Sequence, residues 1–101
     1  MKYAIYKIKP NKFETWKNWC NELNTTFREE ALKTLAYENI LFESFIIFNI
    51  KDEPYTLGCI LEKDGGEKTA DSTNELNQKH QAIKKECLGH VSNGISDCFL
   101  M

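Results

Sequence analysis

Residues 40–50 read Ile-Leu-Phe-Glu-Ser-Phe-Ile-Ile-Phe-Asn-Ile, a run of β-branched and aromatic side chains that favours an extended, pleated backbone. Side chains alternate across a strand. One face therefore carries Ile40, Phe42, Ser44, Ile46, Phe48 and Ile50, and the other carries Leu41, Glu43, Phe45, Ile47 and Asn49. An antiparallel sheet covered on one side only alternates apolar and polar residues, and this strand does not. Helices can cover one face. A second copy of the chain, packed sheet against sheet about a two-fold axis, is expected to cover the other and to protect the strand as an edge.

Upstream, Tyr3-Ala4-Ile5-Tyr6-Lys7-Ile8 reads as a strand that stops at Lys9-Pro10, because proline donates no hydrogen bond to a ladder. Asn11 and Glu14 have capping-box spacing, and Phe13, Trp16, Cys20, Leu23, Phe27, Ala31 and Leu35 then recur at three- and four-residue steps. A helix to about Tyr37 follows, with a kink or break at the weak helix formers Asn24-Thr25-Thr26. Downstream, Lys51-Asp52-Glu53-Pro54 reads as the turn of a hairpin whose second strand is 55–63. A loop from Asp64-Gly65-Gly66 leads to a second helix, started by Ser72 and Glu75 and ended by Gly89 as a left-handed cap. Residues 95–101 close the chain as a last strand. The order β-α-β-β-α-β predicts an α+β, ferredoxin-like domain over 1–101, a four-stranded antiparallel sheet with two helices on one face, paired into a dimeric α+β barrel.

Composition narrows the possible functions. With 101 residues, 42% hydrophobic and 12% aromatic, the chain carries one core and too much apolar material for disorder. Its apolar runs fall far short of the ~20 residues that span a bilayer, so no membrane partner is expected. Four cysteines stand apart with no C-x-x-C pair, and Met1–Pro10 alternates apolar and basic residues without the apolar centre of a signal peptide. A cytoplasmic chain with free thiols is the expectation. Five lysines against Glu14 make residues 1–20 locally basic, yet the whole chain is at −2 with a single arginine, Arg28. That is no nucleic-acid footprint.

The segments Lys7-Ile8-Lys9-Pro10 with Lys12, Glu14, Trp16 and Trp19, then Arg28–Leu35, and later Asn77, His80 and Lys85-Glu86-Cys87-Leu88, resemble a functionally uncharacterised bacterial family of dimeric α+β barrel proteins. The resemblance spans the chain to about Leu88 and implies a fold and a homodimer, with no functional residues to transfer. More distantly the chain is similar to rhamnose mutarotases in length, element order and the lysine-proline stop. Their sugar site uses a histidine of the first helix and tryptophans near the second; here both tryptophans lie in the first helix and both histidines lie at or after the second. Antibiotic-biosynthesis-type and haem-degrading monooxygenases share the barrel, which makes haem or dioxygen handling the alternative.

His80 carries the most chemistry. It projects roughly 40° from Leu76, on the stripe with Ile83 and Cys87, so it points toward the sheet, either as an acid, base or haem ligand or as a hydrogen-bonded core histidine. Glu43, among Leu41, Phe45 and Ile47, is a catalytic candidate as a base of raised pKa, or else an edge gatekeeper or inter-subunit ion pair. Tyr3, Tyr6, Trp16 and Tyr55 are the ligand-binding candidates, each with a plain alternative as sheet or core residue. Trp19, on the flank of the stripe, is expected at a cleft or the dimer rim. No metal site is expected, since His80 and Cys87 lie about 10 Å apart along the helix. Gly65-Gly66 lack a phosphate-loop follow-on, and there is no G-x-S-x-G elbow. No cofactor is assigned. Three readings compete: a small-metabolite enzyme using His80 as acid/base, the haem or dioxygen alternative, and a non-catalytic structural or binding dimer.

Overall fold

The computed structural model describes residues 1–95. It is an α+β arrangement of strand β1 (Lys2–Ile8), helices α1 (Phe13–Asn24) and α2 (Arg28–Tyr37), strands β2 (Ile40–Ile50) and β3 (Glu53–Glu62), helix α3 (Glu75–Cys87) and strand β4 (Leu88–Ile95). The four strands form one antiparallel sheet in the order β2-β3-β1-β4, so β2 is an edge.

The element order departs from β-α-β-β-α-β by one helix, because the expected break is complete. Thr25 turns its side-chain hydroxyl onto the Asn21 carbonyl at 2.8 Å, and the Phe27 N–H bonds the Glu22 carbonyl at 2.9 Å. Hydroxyl side chains compete in this way for backbone groups that would otherwise continue the helix. Helix α2 then restarts at Arg28 without a side-chain cap. Asn11 does not cap α1 either: Lys12 takes that position, and Asn11 holds the left-handed conformation at φ 64°.

Two further boundaries differ from the sequence reading. Helix α3 is capped by Asn74, whose side chain accepts from the Asn77 N–H at 3.0 Å, instead of starting at Ser72. Its end is not a left-handed glycine: Leu88 is already extended, and Leu88-Gly89-His90-Val91-Ser92-Asn93-Gly94-Ile95 forms β4 beside β1. The ladder is made by backbone groups, so a polar, glycine-containing segment with weak strand propensity pairs where β1 offers free donors and acceptors. Residues 96–101, and with them most of the expected last strand, lie outside the described residues.

The hairpin turn is Lys51-Asp52, both at positive φ (50° and 66°) between the paired Ile50 and Glu53. That is the two-residue geometry matching the twist of antiparallel strands. Pro54 consequently stands inside β3, beyond its last pairing with β1 at Tyr55.

The core sits toward one end of the sheet. Ile8, Trp16, Trp19, Cys87 and Leu88 form its buried cluster, with Phe45, Ile47, Leu76 and Ile83 packed against it. Trp19, expected at a cleft or the dimer rim, is only 2% exposed. Since Phe45 and Ile47 meet this cluster, the helices cover the β2 face that bears Glu43, and the opposite face is the open one. Phe42 (46%), Ile46 (51%) and Ile50 (48%) stay exposed there. Cys20, Cys59 and Cys87 are free thiols.

Candidate functional site

The site begins with a row of small residues. Across the sheet, Phe45 pairs with Gly58, Gly58 with Ala4, and Ala4 with Asn93. A Cβ on Gly58 would stand 3.0 Å from Cε1 of Phe45, so the phenyl ring lies over the bare glycine. Beyond it, Ala4 rises too little to reach the helices. Between this floor and the three helices lies a cavity of about 1510 Å³, open to solvent, whose lining includes Ala4, Tyr6, Glu43, Phe45, Gly58, His80 and Lys84. Asp71, Ser72 and Asn77 line it from the segment that precedes and starts α3.

His80 enters this cavity from α3. The indole N–H of Trp19 donates to its Nδ1 at 2.9 Å. Its ring lies at 29° to those of both Trp16 and Trp19, with centroids 6.4 and 6.1 Å away, and meets Phe45 edge-on at 5.8 Å. Burial among these rings, helped by the nearby Lys84 ammonium, pushes its pKa down to about 4. At neutral pH it is an uncharged imidazole. With Nδ1 accepting, the ring proton belongs on Nε2.

Glu43 is its counterpart on β2, two residues from Phe45 on the same face. Burial pushes its carboxyl up to about 6, the neighbouring Glu38 and Glu67 add to the rise, and Lys84 opposes it. Glu38 is itself raised, first by burial and then by Glu67. Lys84 therefore acts on both candidate groups, and its Nζ also stands 5.2 Å from the centroid of the Tyr6 ring. The loop beside these carboxylates is pinned by Asn39, whose positive φ of 60° turns α2 into β2 and whose side-chain amide donates to the carbonyls of Asp64 (3.1 Å) and Gly66 (2.7 Å). Lys2 bridges Glu62 at 2.7 Å and Glu67 at 3.1 Å at the same end.

His80, Glu43 and Tyr6 thus meet in one cavity. Tyr6 presents its ring to the helices, edge-on to His90 at 5.7 Å. Trp16 is fully buried, holding Phe45 edge-on at 5.2 Å and His80 from behind; it is a wall of the core supporting the site. Tyr3 borders the cavity, but by alternation with Ala4 and Tyr6 its side chain stands on the open face, with its hydroxyl 2.7 Å from where a Cβ of Gly94 would stand. Tyr55 also lies on the open face, stacked on Phe48 at 5.8 Å and 20°, away from His80, Glu43 and Tyr6. The sequence reading did not single out Lys84, Glu38 or the bonding role of Trp19. Lys84 was within reach, since a residue four positions after His80 shares its helix face.

Among the described residues, no group of three or more His, Cys, Asp or Glu side chains could hold a metal ion. No helix among them is long and apolar enough to cross a membrane. What the geometry defines is an α+β domain with a helix-roofed cavity carrying a carboxyl of raised pKa and a neutral, hydrogen-bonded imidazole. By sequence the chain belongs to a family of unknown function, DUF6176, whose pattern it matches over residues 2–100. No curated protein and no solved structure matches it.

Proposed function

We propose that this protein binds a small polar metabolite in the cavity between sheet and helices and transforms it by acid–base chemistry. The observation that carries this reading is the meeting of Glu43 and His80 in one open cavity with perturbations of opposite sign. Two titratable groups pushed apart by their surroundings are the usual basis for dividing acid and base roles. A carboxyl at about 6 is largely ionised at pH 7 yet still basic, which suits Glu43 as the proton acceptor. The neutral imidazole of His80 then acts as a hydrogen-bond donor to a substrate oxygen. A side-chain-filled interior would have favoured a purely structural domain, and this interior has room.

The haem alternative fits the geometry poorly. Iron ligation through Nε2 needs its lone pair, and the Trp19 hydrogen bond to Nδ1 puts the proton on that atom.

The same reading includes a homodimer of ferredoxin-like, barrel-closing type. Its support is the strand order with β2 at the edge and the apolar residues Phe42, Ile46 and Ile50 on the face without helices. A two-fold related copy covers an identical patch with itself.

The test is a thermal-shift panel of neutral monosaccharides, 2-hydroxy acids and 2-keto acids, since a ligand that binds only the folded chain raises its melting temperature. Binding by one of these classes that is weakened in Glu43→Gln and in His80→Phe is the expected outcome. A panel without a hit, or hits indifferent to both substitutions, removes the reading.

A further inference from the structure

Two observations on α1 and α3 belong together. The Trp19 side chain is buried beside His80 and spends its only polar hydrogen on Nδ1 of that ring. Among the described residues, His80 Nε2 has no hydrogen-bond partner. The buried side-chain nitrogens and oxygens left without a partner among the described residues are Trp16 Nε1 and Thr56 Oγ1, and Nε2 is not one of them. It is therefore accessible, and the space that His80 borders is the cavity.

We infer that Trp19 is a positioning residue: its N–H, by occupying Nδ1, fixes His80 as the Nε2–H tautomer and turns that N–H toward the cavity as a hydrogen-bond donor of set direction. Indole nitrogen can only donate, so the bond admits one polarity; a Nδ1–H imidazole would set two hydrogens against each other. The ring has little freedom to escape the arrangement. Trp16 and Trp19 flank it at 29°, Phe45 stands against it edge-on, and Trp16 and Trp19 are themselves in the core. Lys79 stands by the outer rings, with its ammonium 5.4 Å from the Trp19 ring centroid and 5.0 Å from that of Phe27.

The consequence concerns ligand selection. A donor of fixed direction pairs with a carbonyl, carboxylate or hydroxyl oxygen that accepts its hydrogen, and rejects an N–H or an ammonium at the same place. Lys84, one turn further along α3, adds a positive charge beside it. The inference rests on the acid–base reading for its use, but its geometry is tested without any ligand.

The experiment is long-range ¹H–¹⁵N correlation spectroscopy on ¹⁵N-labelled protein at pH 7, which distinguishes the two neutral tautomers and the imidazolium by their ring-nitrogen shifts. The wild type is expected to show His80 as a single Nε2–H tautomer. A Nδ1–H tautomer, an imidazolium, or a fast average of forms overturns the inference at once, with no variant needed. Trp19→Phe, which keeps a ring and loses the donor, is expected to turn the single tautomer into a mixture. An unchanged spectrum in folded Trp19→Phe protein also overturns it. A fixed tautomer together with an empty ligand panel would leave Trp19 as the positioning group and remove the metabolite reading alone.

Discussion

At the scale of single residues, Glu43 and Thr56 make the sharpest expectations. The carboxyl of Glu43 is raised from 4.5 to about 6 by burial first and by Glu38 next, so the fold favours its neutral form. Stability from this group is fully present below pH 4.5 and is lost as the pH rises through about 6, a swing of about 2 kcal/mol. Glu43→Gln removes the charge and should therefore stabilise the protein by up to about 2 kcal/mol at pH 8 and hardly at all at pH 4, read from urea titrations at the two values. His80 behaves in the opposite sense. Its folded value of about 4 lies below the ordinary 6.5, so its contribution is complete above pH 6.5 and is lost as the pH falls toward 4. His80→Phe should flatten that acid limb in the same titrations, and an acid limb of unchanged slope would contradict the buried neutral imidazole. Thr56 is fully buried, with its hydroxyl unpartnered among the described residues. Replacing an unmet polar group by an apolar one of the same shape relieves a desolvation penalty, so Thr56→Val should raise the urea midpoint by an amount equivalent to about 1 kcal/mol.

At the scale of elements, the decisive feature is the contrast between the two ends of the sheet. Near the C-terminal end of β1, Ile8, Trp16 and Cys87 fill the space under the helices. Toward its start, Ala4 and Gly58 leave the same space empty and the Phe45 ring lies flat on the gap. Phe45 cannot easily give way, because Trp16 and His80 hold its ring at 5.2 and 5.8 Å. Gly58→Val should therefore cost about 1–3 kcal/mol through overpacking and should also disturb the His80 ring resonances. A well-folded Gly58→Val protein with an unmoved His80 would show that the Phe45 ring does not rest on Gly58. The broken first helix belongs to this scale too: by ending α1 at Asn24 and restarting at Arg28, the chain sets α2 against β2, where Ala31 and Leu35 line the cavity.

At the scale of the whole molecule, the homodimer proposal rests on the open sheet face. Phe42, Ile46 and Ile50 are each about half exposed, and Phe48 and Tyr55 stack on the same side. Burial of apolar area is worth roughly 25 cal/mol per Å², so a patch of this kind drives self-association once a partner of matching shape is present. Sedimentation equilibrium should show a particle of two chains, and Ile46→Lys should return it to one. A single-chain particle at high concentration would end the homodimer proposal; a dimer indifferent to Ile46→Lys would move the interface to another surface.

Much of this molecule was legible along the chain, because propensity and periodicity are local. The β-rich run at 40–50, the helical stripes, the break at Asn24-Thr25-Thr26 and the sheet-facing direction of His80 all follow from residue type and spacing. What only tertiary structure decided are the relations between distant segments. Strand β4 depended on backbone groups offered by β1, which no side-chain pattern in residues 88–95 announces. Glu43 faces the helices instead of the open side because the sheet turns that particular parity inward. The Trp19 bond to His80 joins positions sixty-one residues apart, and the cavity exists because Gly58 and Ala4 fall side by side across two strands. Alternation along a strand defines two faces; only packing chooses which of them becomes the inside.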